Sequence, residues 1–390
     1  MDKIEELLTR GVDKIYPSRE ELEKIVRSNK RLRIYEGFDP TSPELHLGHL
    51  IGLRKLRQWQ ELGHEVIFLI GDFTGMVGDP TGKDKTRSVL TKKQVLENAK
   101  TYKEQASKIL DFEGKNPAII KYNSEWLAKL SAIELANLTS HLSYQQVIER
   151  DMFQNRLKNN MDIALSEFFY PFMQGYDSVA MDVDVEVGGS DQTFNMLIGR
   201  KLMRNILKKD KFVMTTPLLE DSEGRKIGKT EGNVIALADK PSDLYGKIMA
   251  LGDDIIVKGF EYLTDVPMEE IHEIDKKLKS GENPIVFKKE LAFVITRQLN
   301  NEKSADEAQG NFEKTVQNKE LPDEIETLNA TSLNDLVKTD IVSSRSELKR
   351  LIEQEGIKIN DKTTENIDAE LKEGDVLKVG KRRVVKISSK

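Results

Sequence analysis

Over its first 230 or so residues the chain alternates short apolar runs with longer amphipathic stretches, and this alternation limits the fold more than any other feature. The apolar runs lie at 32–35, 66–70, 118–121, 183–187 and 212–216. All are too short for helices. Residues 66–70, Val-Ile-Phe-Leu-Ile, contain no polar member, the pattern of a strand buried on both faces. Helical patterns fill the intervals: 48–62 with Gly63 as its stop, 91–110 opened by the capping box Thr91-x-x-Gln94, much of 131–180, and 190–207. A further box, Ser18-x-x-Glu21, predicts an N-terminal helix. Gly37-Phe38-Asp39-Pro40 must turn, and 71–82 is a glycine-rich loop. Strands separated by helices predict a parallel sheet in a doubly wound α/β domain, placed here at 1–232.

Beyond residue 232 the strand signals stop. Helices are expected at 243–250, 268–279, 284–300 and 305–315, so 233–320 reads as an α-helical domain. The polar stretch 321–340, with Pro322, reads as a linker. The final segment, 341–390, reads as a small α+β domain. It has a helix at 346–354 ended by Gly356, a strand at 357–359, a turn at Gly374-Asp375 and a hairpin over 376–387 pinched at Gly380.

Composition narrows the class. The chain has no cysteine, which removes disulfides, thiolate metal sites and cysteine nucleophiles and fits a reducing compartment. Its start, Met1-Asp2-Lys3-Ile4-Glu5-Glu6, does not read as a signal peptide, and no apolar run is long enough to cross a bilayer. A cytoplasmic protein without membrane contact is expected. The net charge of −6 argues against a wholly basic nucleic-acid coat, yet residues 341–390 carry 12 Lys/Arg against 9 Asp/Glu, so a polyanion could touch this tail.

Only five histidines exist, and His46 and His49 stand three apart around Gly48 where a loop turns into a helix. That spacing puts both imidazoles on one face of the first turn. The helix start offers unpaired N–H groups and partial positive charge, a ready phosphate site where imidazoles can stabilise charge at phosphorus. Two satisfied surface histidines would be the bland alternative. A zinc pair would be another, but no third ligand stands nearby and no metal site is assigned. The second motif, Gly224-Arg225-Lys226-Ile227-Gly228-Lys229-Thr230, puts two lysines three apart in a glycine-flanked loop, suited to gripping and releasing a polyphosphate.

Together these motifs resemble the H-x-G-H segment and K-M-S-K-S loop of class I aminoacyl-tRNA synthetases, which carry them on a Rossmann-like sheet. The resemblance is closest to the tyrosyl-tRNA synthetase family. Tyr35-Glu36-Gly37-Phe38-Asp39-Pro40-Thr41, Gly78-Asp79-Pro80-Thr81-Gly82-Lys83, Tyr170-Pro171-Phe172-Met173-Gln174-Gly175-Tyr176-Asp177 and Gly188-Gly189-Ser190-Asp191-Gln192 carry it, in order and spacing. The tail, through Ser344-Arg345-Ser346-Glu347-Leu348-Lys349-Arg350 and Gly380-Lys381-Arg382-Arg383, resembles an S4 RNA-binding domain. One departure is the Lys-Ile-Gly-Lys-Thr loop, where Gly228 replaces a hydroxyl residue.

The resemblance implies a Rossmann-like catalytic domain with a helical insertion near 125–165 and a homodimer joined there. The implied substrates are L-tyrosine, ATP with Mg²⁺, and tRNA(Tyr); neither DNA nor a membrane is implied. Tyr35 and Asp177 would bind the tyrosine phenol. Tyr170, Gln174 and Asp79 would hold the α-ammonium, and Gln192 would face the carboxylate end. Gly37, Asp39, Gly48 and Asp191 would line the ATP side, with His49 by the ribose. Thr41 and His46 would contact the γ-phosphate. Lys226 and Lys229 would stabilise leaving pyrophosphate, with Lys83 and Arg87 as further cations. Arg345, Lys349, Arg350, Lys381, Arg382 and Arg383 would touch RNA. The 233–320 helices would bind the anticodon region. Rival readings are another H-x-G-H nucleotidyl transferase, a tryptophanyl-tRNA synthetase, and an RNA-binding module without catalysis. Tyr35 with Asp177 and the S4-like tail oppose the first two; the intact His46, His49, Lys226 and Lys229 oppose the third.

Overall fold

The structure is a computed structural model that describes residues 2–81, 90–227, 234–317, 326–339, 341–342, 344–360, 362–364, 366–380 and 383–388. The chain forms two compact units: Met1–Ala238 with Gly252–Phe287, and Asp239–Leu251 with Lys288–Lys390. Helix Ile256–Leu263, which periodicity did not predict, belongs to the first unit and packs on the Leu47–Glu61 helix there. The expected boundary at 232 therefore cuts across a folded body.

The first unit is built on a six-stranded sheet. Its strands are β1 (Lys14–Tyr16), β2 (Arg33–Phe38), β3 (Glu65–Ile70), β4 (Ile119–Tyr122), β5 (Val185–Gly189) and β6 (Phe212–Thr216), in the order β1-β6-β5-β2-β3-β4. From β2 the chain winds outward to β3 and β4, then returns to the other side of β2 with β5 and β6. All five predicted strands are present and pair in parallel. Val66 to Ile70 are buried throughout, as their composition requires. The edge strand β1 was not expected. It has three residues and runs antiparallel to β6, with Lys14 opposite Thr215, so no local signal announces it.

The predicted 48–62 helix spans Leu47–Glu61 and buries Leu50, Leu53, Leu56 and Trp59. Each such side chain contributes about 1.5–3 kcal/mol of transfer free energy. The expected 91–110 helix is two helices, Lys92–Ala99 and Tyr102–Ala106. Between them the Thr101 hydroxyl donates to the Pro43 carbonyl at 2.7 Å, a long-range bond that ties the break to the loop before His46. Helices Leu165–Met181 and Thr193–Leu207 pack along one another beside β5 and β6.

In the second unit, helices Pro241–Met249 and Glu302–Phe312 pack together, with the Tyr245 and Phe312 rings 5.5 Å apart. The tail forms a five-stranded sheet from β7 (Glu326–Asn329), β8 (Ile357–Ile359), β9 (Lys362–Thr363), β10 (Val376–Val379) and β11 (Arg383–Ser388), in the order β7-β11-β10-β8-β9. The predicted hairpin is β10–β11, and Gly380 sits in its turn at φ 64°. Two expectations are corrected. The stretch read as a linker supplies β7 and a 3-10 turn, Leu333–Lys338, whose Leu333 and Leu336 are fully buried in the tail's core. Its polar composition hid an edge strand that needs few apolar residues. Helix Arg345–Glu353 is not ended by Gly356: Glu355 takes the left-handed conformation at φ 55°.

Candidate active site

A cavity of about 600 Å³ opens at the carboxyl ends of β2, β5 and β6. It lies beside the gap between β2 and β5, where the winding reverses, the usual ligand position in such sheets. Its walls hold Tyr35, Gly37, Asp39, Thr41, His46, Gly48, His49, Asp79, Tyr170, Gln174, Asp177, Asp191, Gln192 and Lys226, so these expected site residues converge. Lys83, Arg87, Lys229, Lys381 and Arg382 lie outside the described residues. Arg345, Lys349, Arg350 and Arg383 belong to the tail, all solvent-exposed; Arg383 donates to the Ile341 carbonyl at 3.0 Å.

His46 is the N-cap of the Leu47–Glu61 helix and His49 its third residue. The Gly48 N–H donates to His46 Nδ1 at 3.2 Å, and the His46 N–H donates to His49 Nδ1 at 3.1 Å. The rings stack with centroids 3.8 Å apart. A neutral imidazole that accepts at Nδ1 carries its proton on Nε2, so each ring is a donor at that nitrogen. Gly48 leaves room for this stacking: a Cβ there would stand 3.0 Å from His46 Cε1. The segment that follows the basic loop is tied to the histidine motif by backbone. The Leu47 N–H donates to the Ile235 carbonyl at 3.0 Å, and Leu237 N–H to the Leu45 carbonyl at 2.8 Å. Lys226, on the near stem of the loop, forms an ion pair with Asp191 at 2.6 Å.

Asp39, Asp79 and Asp177 each have defined partners. Asp39 accepts from the Thr74 hydroxyl at 2.7 Å and the Tyr170 hydroxyl at 2.9 Å. Asp79 accepts from Gln192 Nε2 at 2.7 Å and the Thr81 N–H at 2.9 Å. The residues assigned to the ammonium and carboxylate ends thus interlock with those assigned to ATP. Asp177 accepts from Trp126 Nε1 at 2.7 Å and Asn123 Nδ2 at 3.3 Å. Burial pushes its carboxyl well above the usual range, while those two donors pull it back. Burial likewise raises Tyr170, with Asp39 and Asp79 adding to it, so this phenol keeps its proton and donates.

Sequence reasoning missed Asn123, Trp126, Thr74, Ser178, Glu36, Glu186 and Lys211. Glu36 and Glu186 line the cavity from adjacent strands. Burial, with Glu186 next to it, pushes Glu36 well above the usual carboxylate range, and its Oε2 has no partner among the described residues. Glu186 pairs instead with the fully buried Lys211. A glutamate inside the apolar run 183–187 and a lysine just before the run 212–216 were the signals: two opposite charges at neighbouring buried strands. Among the described residues, no group of three or more His, Asp or Glu is placed to hold a metal ion, and no helix is long and apolar enough to cross a membrane.

The nucleotide-type crevice with an imidazole pair at a helix start defines a phosphate-handling α/β enzyme site. The family model of the class I tRNA synthetases (W and Y) matches residues 27–317. The Tyrosine--tRNA ligase of Thermotoga maritima is 43% identical over 98% of this chain and 96% of its own length. That of Carboxydothermus hydrogenoformans is 44% identical over 98% and 97%. A solved, C-terminally truncated Aspergillus nidulans mitochondrial tyrosyl-tRNA synthetase superposes with a TM-score of 0.66 at 26% identity, covering 79% of this chain and 92% of that one. The chain belongs to the class I tRNA synthetases and, within them, to the tyrosine–tRNA ligase family.

Proposed function

We propose that this cavity activates L-tyrosine with ATP and that the enzyme then esterifies tRNA(Tyr). The tyrosine carboxylate attacks the α-phosphorus in line, giving tyrosyl-adenylate and pyrophosphate. The terminal ribose hydroxyl of the tRNA next attacks the acyl carbon, and AMP leaves. No acid–base pair is required in the first step; catalysis is positioning and charge stabilisation. The observation that carries the reading is the meeting, in one cavity, of a buried Tyr35/Asp177 floor with a His46/His49/Lys226 rim.

The phenol would sit against Tyr35 and Asp177. A phenylalanine would leave these polar groups unpaired, a form of rejection already known from tyrosine-activating synthetases themselves. The α-ammonium would lie by Asp79, Tyr170 and Gln174, whose Oε1 is buried without a partner among the described residues. Gln192 would face the carboxylate. Gly37, Asp39, Gly48 and Asp191 would border the nucleotide, with His49 near the ribose. Thr41 and His46 Nε2 would meet the γ-phosphate, and Lys226 the departing pyrophosphate, helped by Lys229, Lys83 and Arg87. ATP would arrive as its Mg²⁺ complex. Exposed Ile133 and Leu165, 67% and 78% accessible, support a homodimer joined through the helical region at 125–165. The helical segments of the second unit and the basic residues of its S4-like tail would hold tRNA through phosphate and shape contacts, in the cytoplasm.

Charging of tRNA(Tyr) with labelled tyrosine tests the whole reading. Wild type should charge, and Asp177→Ala should need about 10²-fold more tyrosine to do so. RNA binding without charging would sink it.

A further inference from the structure

Lys211 precedes β6 and is fully buried, yet it does not line the cavity. Its ammonium donates to Ser178 Oγ at 2.8 Å and pairs with Glu186. Room for it is made by Gly199 on the neighbouring helix, where a Cβ would stand 2.6 Å from Nζ. Two branches lead from this cation to the cavity. In one, Ser178 Oγ lies 2.8 Å from the Tyr35 hydroxyl. In the other, Glu186 Oε1 accepts from Gln174 Nε2 at 3.3 Å.

We propose that Lys211 is a positioning residue of the tyrosine site, which sets the direction of the Tyr35 hydroxyl through Ser178 and the orientation of the Gln174 amide through Glu186. The proposal rests on the tyrosine-activating reading. Its logic is a proton inventory. An ammonium can only donate, so Ser178 must accept from it. Ser178 has one proton for two neighbours: Tyr35 Oη at 2.8 Å, and Glu186 Oε2 at 3.3 Å, which already accepts from Lys211. With Glu186 Oε2 already met by the ammonium, the proposed relay runs from Ser178 to Tyr35, the nearer acceptor; Tyr35 then turns its own O–H toward the cavity as a donor, beside Asp177, which two N–H groups mark as an acceptor. A phenol held between one donor and one acceptor has both its functions met. On the other branch, an ionised Glu186 accepts only, so Gln174 must present Nε2 to it and leave Oε1, an acceptor, for a cation in the cavity.

The test is pyrophosphate exchange with titrated tyrosine and titrated ATP. Ser178→Ala keeps the ion pair and removes only the relay. It should raise the tyrosine KM about tenfold, the scale of one buried hydrogen bond, and weaken rejection of phenylalanine. The ATP KM should stay within about twofold. In a Tyr35→Phe background the same change should do nothing further, because the group it acts through is gone. Lys211→Met should raise the tyrosine KM more, since both branches lose their anchor; if it fails to fold, Ser178→Ala decides. An unchanged tyrosine KM in Ser178→Ala, or an equal loss in the Tyr35→Phe background, overturns the proposal while wild-type exchange with tyrosine leaves the functional reading standing. Absence of wild-type exchange overturns both.

Discussion

His46 carries two separable loads, and a pair of substitutions pulls them apart. Its Nδ1 accepts the Gly48 N–H as a helix cap, which leaves Nε2 as the donor nitrogen of a ring that lines the cavity. Loss of an N-cap costs about 1 kcal/mol, which in a body of this size lowers Tm by about 2–4 °C. Loss of one pre-organised donor to a developing phosphate charge costs about 10²–10³ in rate. His46→Ala should show both effects. Asparagine is a preferred cap but too short to reach where Nε2 reaches, so His46→Asn should recover Tm while exchange stays about 10²-fold slow. The assays are thermal unfolding and tyrosine-dependent pyrophosphate exchange, with equilibrium dialysis checking that tyrosine binding is unchanged. Recovery of exchange together with Tm in His46→Asn would reduce the histidine to a cap. Normal exchange in His46→Ala would remove its phosphate role altogether.

Other outcomes follow from the same geometry. Asp177→Ala should raise the tyrosine KM by about 10²-fold and relax rejection of phenylalanine, because Trp126 and Asn123 would lose their acceptor; comparison of exchange with the two amino acids checks this. Lys226→Ala should slow adenylate formation about 10²-fold without changing tyrosine affinity, read by single-turnover kinetics. Lys55 donates to the Leu7 and Arg10 carbonyls and Gln58 Oε1, but burial, with Arg54 and Arg10 alongside, pulls it down to about 7 from 10.5. Between those values the unfolded chain binds a proton that the folded chain lacks, so stability should rise with pH across that window. Urea midpoints at pH 7 and 9 should diverge in wild type and less so in Lys55→Met; equal slopes would contradict the account.

The parallel core was legible because residues 66–70 of β3 and the whole of β6 are buried and each run is bounded by turn residues. The site was legible because His46, Asp79, Tyr170 and Asp191 stand in short motifs. What escaped depends on partners far away in sequence. The strand β1 exists only through β6, and the strand β7 only through β11. Trp126 and Asn123 became site residues because the turn after β4 brings them to Asp177, some fifty positions away. Lys211 and Glu186 carry opposite charges that make sense only once β5 and β6 are seen side by side.

The central claim is that this cavity activates tyrosine, and the measurement closest to it is exchange of labelled pyrophosphate into ATP with tyrosine, phenylalanine and tryptophan offered separately. Exchange with tyrosine, little with the other two, and loss of that preference in Asp177→Ala is the expected result. Exchange driven by tryptophan would overturn the substrate, and no exchange with any of the three would overturn the enzyme.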